Sequence, residues 1–162
     1  MRQTQSSTIT AAPAAPEPLI TVNAPWPADP PDEPVAFLQP NEMHWKRLVP
    51  DLGEHSPRMT VVRHDAQTGA TTMLIWTPPG FWVPRHWHSG GEKHMVVRGT
   101  FIIECAGQRV VMKPGAFNYM PARLVHQAWT PPDEECLLYT DVDRLWDLNW
   151  IDSPPAAPSS EP

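Results

Sequence analysis

The side chains best suited to chemistry crowd into one segment, GFWVPRHWHSGGEKHMVVRG at residues 80–99, which holds His86, His88, Glu92 and His94. Imidazole and carboxylate groups ligate divalent metals and move protons near neutral pH. In an extended strand alternate residues share a face, so His86 and His88 look toward one point. WVPRHWH reads as a strand, HSGGE as a turn and EKHMVV as the returning strand. The segment is therefore predicted to be a β-hairpin that brings Glu92 back beside the two histidines. His126, just after the MPAR turn at the head of HQAW, is the best fourth group. Three imidazoles with one carboxylate suit Fe(II), Mn(II), Ni(II), Cu(II) or Zn(II), and leave coordination positions open for water or substrate.

Parity extends the site. His94 shares a face with Glu92 and is a candidate for proton transfer, so Glu92 and His94 are the candidate catalytic residues. Trp82 has the parity of His86 and His88, and is expected to line the pocket above the metal if Pro84 leaves the strand register intact. Trp87 then points outward and needs cover, from the N-terminal segment or from a second subunit. His44, His55 and His64 have no such company and are expected to be solvated.

The elements that must hold these groups are short. RMTVVRH, TTMLIWT, HMVVRGTFIIEC, QRVVMK, AFNYMP, HQAW and ECLLYTD are strand-like runs rich in β-branched and aromatic residues. DAQTGA, TPPG, HSGGE, CAGQ, KPGA, MPAR and TPPDE punctuate them with turn chemistry. That spacing predicts an all-β sandwich or barrel. Helix signals are confined to possible turns in NEMHWKRL and DRLWDL. Proline-rich segments flank the pattern, so the chain divides into an N-terminal arm at 1–40, a β domain at 41–152 and a disordered C-terminal tail at 153–162. Residues 1–17 are expected to be disordered, whereas LITV, Trp26 and VAFL are candidates for an ordered strap on the domain surface.

Composition narrows the function. The chain has 162 residues, long enough for one domain with a real core. Its 12 lysines and arginines form no stripe against 18 acids, which argues against nucleic-acid binding. No apolar run approaches a membrane span, and prolines interrupt the N-terminus where a signal peptide needs an apolar stretch. Cys105 and Cys136 are expected to be buried free thiols of a cytoplasmic protein.

The spacing Gly80, His86, His88, Glu92, Gly99 resembles the first motif of the cupin superfamily at every position. Gly115, Pro121 and His126 resemble the second motif, with Arg123 where the family usually has Gly and Thr130 where it often has Asn. The resemblance covers residues 58–142. It implies a six- to eight-stranded jelly-roll barrel, also called a double-stranded β-helix, with a metal inside one open end held by His86, His88, Glu92 and His126. Trp82 and Thr130 would decorate the substrate pocket, and a homodimer is expected from small cupins of this kind. The family's chemistry is diverse, and the reading adopted is an Fe(II)-type dioxygenase acting on a small diketone, hydroxyketone or phenolic substrate. The alternatives are a non-catalytic metal or small-ligand binding cupin and an oxygen-independent metal-assisted isomerase or lyase.

Overall fold

The computed structural model describes residues 36–156. Residues 1–35 and 157–162 lie outside the described residues, and with them the expected disorder of 1–17, the LITV and Trp26 patches and most of the C-terminal tail. Of the VAFL patch, Phe37 is 85% exposed.

Among the described residues, eleven strands follow in chain order: β1 (Lys46–Arg47), β2 (Arg58–His64), β3 (Thr71–Thr77), β4 (Trp82–Trp87), β5 (Glu92–Gly99), β6 (Phe101–Cys105), β7 (Gln108–Met112), β8 (Phe117–Met120), β9 (His126–Trp129), β10 (Cys136–Val142) and β11 (Asn149–Trp150). They form a six-stranded sheet in the order β1-β2-β3-β10-β5-β8 and a five-stranded sheet in the order β11-β4-β9-β6-β7. All pairings are antiparallel. This two-sheet arrangement is the jelly roll that the resemblance implies. NEMHWKRL holds a 3₁₀ turn at Pro40–Glu42 followed by β1, and DRLWDL is a loop rather than a helix.

Alternation makes the core. Met73 and Ile75 on β3, Val96 on β5 and Cys136 and Leu138 on β10 turn inward, and Phe101, Ile103 and Ala128 meet them from the five-stranded sheet. On β5 the inward series begins with Glu92 and His94 before reaching Val96, so one end of the core is polar and the rest apolar. Both cysteines are free, Cys136 buried and Cys105 part-buried; burial pushes the Cys136 thiol up to about 12. Among the described residues no helix is long and apolar enough to cross a membrane.

Two expectations about connectivity fail. The segment around residues 80–99 is not a hairpin: β4 pairs with β9 and β11, whereas β5 pairs with β10 and β8. HSGGE crosses between the sheets, and Glu92 reaches the histidines from the opposite wall. Gly90 permits the crossing, because a Cβ there would stand 2.6 Å from the Val142 side chain. The run HMVVRGTFIIEC is likewise two strands in different sheets, broken at Gly99 and Thr100. Gly99 has φ +77°, and a Cβ on it would lie 1.8 Å from the Glu135 carbonyl oxygen, so only glycine fits where the chain changes sheets.

Candidate metal centre

His86 stands on β4, His126 directly opposite it on β9, and His88 in the crossing turn just beyond β4. All three are buried, and their candidate ligand atoms lie within 4.8 Å of one another. Each imidazole is oriented through Nδ1. His86 donates to the Pro84 carbonyl at 2.6 Å, His126 to the Leu124 carbonyl at 3.0 Å, and His88 to the Asp147 carbonyl. A donating Nδ1–H leaves each Nε2 as a bare lone pair, the state in which imidazole ligates a metal. Burial first, and the neighbouring His126 second, push His86 down to about 3. Burial pushes His126 down to about 4. Both are therefore neutral at physiological pH, as metal ligation requires.

Glu92 arrives from the other sheet. Its Oε1 accepts the Trp146 indole N–H at 2.9 Å. Its Oε2 lies 3.3 Å from His88 Nε2 and 3.4 Å from His94 Nε2, yet is buried without a hydrogen bond. A neutral His88, its proton on Asp147, turns the Nε2 lone pair to Oε2 across that gap. Such a contact is repulsive unless a cation lies beside it, a proton on His88 or His94 or a metal ion. The donor set and this orphaned oxygen therefore fit a divalent metal bound by His86, His88 and His126 with Glu92 at the edge of the group. Burial works to raise the Glu92 carboxyl, but His94, then His88 and Trp146, outweigh it and hold it below the usual carboxylate range.

His94 is buried beside Glu92 and its Nδ1 lies 3.0 Å from Asn118 Oδ1 on β8. Burial works against the charged imidazole, but the Glu92 carboxylate and Asn118 raise its pKa overall. The cavity over these groups measures about 70 Å³. Its walls are largely apolar, among them Phe81, Val83, Phe101, Leu138, Leu148 and Trp150.

Trp82 is not in that wall. Val83 faces Ala128 and His86 faces His126, so β4 takes three residues where β9 takes two. This bulge at Pro84 reverses the parity: Val83 lines the cavity, and Trp82 is 51% exposed on the outer surface. Proline has no N–H to give a ladder, and here it sits where the ladder breaks. Thr130 is also absent from the lining. It is buried as a clasp, its hydroxyl donating to the Pro78 carbonyl at 2.6 Å and accepting the Phe81 N–H at 3.0 Å. Trp87 is part-buried, and β11 pairs along its strand. His44, His55 and His64 are exposed. Arg123 adopts φ 66°, so the turn before His126 keeps the left-handed shape that glycine usually supplies, and its N–H binds the His88 carbonyl at 2.8 Å.

Sequence reasoning missed Trp146, Asp147 and Asn118. The only signal for the first two was an unexplained aromatic in DRLWDL. Asn118 shares a register position with His94 across β5 and β8, which no local pattern reveals.

Solved structures share this architecture. KdgF from Halomonas sp. superposes with a TM-score of 0.57 at 19% identity, over 68% of this chain and 96% of that one. An RmlC-like cupin from Ralstonia eutropha gives 0.60 at 20% identity, over 74% of each chain. The polyketide cyclase RemF from Streptomyces resistomycificus gives 0.60 at 14% identity, over 74% of this chain and 87% of that one. At these identities the likeness is one of fold. No curated protein matches the chain. A family model described as the ChrR cupin-like domain matches residues 34–145, well over half of the 162 residues, and the chain therefore belongs to the ChrR cupin-like family.

Proposed function

We propose that this cupin is a metal-dependent dioxygenase for a small diketone, hydroxyketone or phenolic compound. His86, His88, His126 and Glu92 would hold one divalent ion, Fe(II) first, with Mn, Ni, Cu or Zn as alternatives. The observation that carries the reading is the convergence of three Nδ1-anchored imidazoles and an orphaned carboxylate oxygen on one apolar cavity. Such an ion supplies Lewis-acid chemistry and, in the case of iron, one-electron chemistry.

The chain's own residues do the rest. Phe81, Val83, Phe101 and Leu138 exclude water and limit the substrate to a small molecule. The carbonyls of Pro84, Leu124 and Asp147 fix the imidazole tautomers. Beside Glu92, His94 would take up a proton from an acidic C–H or hydroxyl group at Nε2 and hold it away from solvent, its Nδ1 anchored on Asn118.

That Glu92–His94–Asn118 line specifically favours a second reading, an oxygen-independent isomerase or lyase that needs only proton movement. One experiment separates the two. Fe(II)-loaded protein is expected to consume O₂ with at least one compound of a diketone, hydroxyketone and catechol panel. Deuterium exchange at the α-carbon of a hydroxyketone without O₂ uptake identifies the second reading. Calorimetric binding with neither reaction rejects both and identifies a ligand-binding cupin.

A further inference from the structure

The loop between β10 and β11 holds both halves of the candidate centre. Asp143 Oδ1 accepts the Gly91 N–H at 3.1 Å, and Asp147 Oδ1 accepts the Ser89 N–H at 2.7 Å, so the loop grips the crossing turn at two points. The Asp147 carbonyl takes the His88 Nδ1 proton. Between these anchors, Trp146 stacks on His88 with ring centres 5.4 Å apart and planes inclined 27°. Its indole N–H ends on Glu92 Oε1 at 2.9 Å. Trp146 lies just past the residues matched by the family model.

We propose that Trp146 is a positioning residue that makes Glu92 a one-oxygen donor. A free carboxylate can offer one oxygen or both to a cation. Here Oε1 is committed to the indole, and Oε2 alone is left without a hydrogen bond, between His88 and His94. Restricting Glu92 to one oxygen keeps a coordination position free for substrate. Stacking on His88 lets the same ring set the carboxylate relative to an imidazole from the opposite wall. The inference rests on His86, His88, His126 and Glu92 being the ion's ligands.

Co(II) is the probe, since its visible spectrum reports coordination number and donor set. Trp146→Phe keeps an aromatic ring to stack on His88 and removes the N–H with the rest of the second ring. It is expected to bind Co(II) about tenfold more weakly, as loss of an outer partner to a ligand does, and to show an altered visible spectrum. In a Glu92→Ala background the same substitution is expected to change neither, and Trp82→Phe is expected to match the wild type. A wild type that binds Co(II) while Trp146→Phe has the same affinity and spectrum overturns the inference alone, as does an equal effect in the Glu92→Ala background. A wild type that takes up no Co(II) overturns the metal reading together with it. The intact protein offers a second measurement should Trp146→Phe fold poorly. The assigned Trp146 indole N–H resonance should stay downfield and protected from exchange when Zn(II) is added, and its release on Zn(II) binding overturns the proposal.

Discussion

The His86–His126 pair and the Glu92–His94 pair of the centre are built on different scales, with His88 held, like the second pair, from far along the chain by Asp147. His86 and His126 are each oriented by a carbonyl two residues back, from Pro84 and Leu124. Glu92 is held by Trp146, 54 positions away, and His94 by Asn118, 24 positions away. The first geometry is a property of a strand and its bulge and forms wherever that strand forms. The second exists only once the two sheets have closed and the β10–β11 loop has crossed the gap. Two imidazoles set locally, joined by a third imidazole and a carboxylate that the β10–β11 loop sets through Asp147 and Trp146, separate the ability to hold an ion from the tuning of its chemistry.

The largest expected effect strikes the local half. His86→Ala combined with His126→Ala should reduce transition-metal content, measured by plasma mass spectrometry, from about one ion per chain to near zero. Retention of a full ion would show that these imidazoles are not the ligands.

Acid should act on the same half in the metal-free protein. His86 is held at about 3 and His126 at about 4, against an ordinary value of 6.5, so the unfolded chain binds protons first. Stability from these groups is present above pH 6.5 and is lost as pH falls toward 4 and 3. The melting temperature of metal-free protein should drop over that window, and the double-alanine variant should lose this part of the drop. Metal should resist the fall until protons displace it.

On the carboxylate side, Asn118→Leu leaves the His94 Nδ1–H buried without its acceptor. The expected cost is about 1–3 kcal/mol in denaturant unfolding, with metal content unchanged. Loss of the metal as well would mean that the two halves are not separable.

The same division of scale explains what could be read in advance. Strand positions, the all-β class and the histidine cluster follow from period-two alternation and local spacing, the jelly roll from the resemblance to the cupin motifs, and RMTVVRH and TTMLIWT coincide with β2 and β3. Partnership between strands does not follow from periodicity, so HSGGE looked like a hairpin turn although it joins two sheets. Trp146 and Asn118 were invisible for the reason Glu92 and His94 depend on them: their contact with the site is made by closure of the fold, across a long separation in sequence.

The smallest effect tests the bulge. Parity alone places Trp82 over the metal, but the extra residue at Pro84 turns Val83 inward and leaves Trp82 51% exposed. Trp82→Ala should therefore change unfolding free energy by no more than about 0.5 kcal/mol, as exposed positions usually do, and leave Co(II) affinity and spectrum at wild-type values. Val83→Phe, one residue along, adds bulk to a cavity of about 70 Å³ and should weaken binding of small chelating ligands to the metal-loaded protein while sparing the metal itself. If Trp82→Ala alters ligand binding and Val83→Phe does not, the strand runs without its bulge in solution, and the wall of the site must be redrawn from β4 outward.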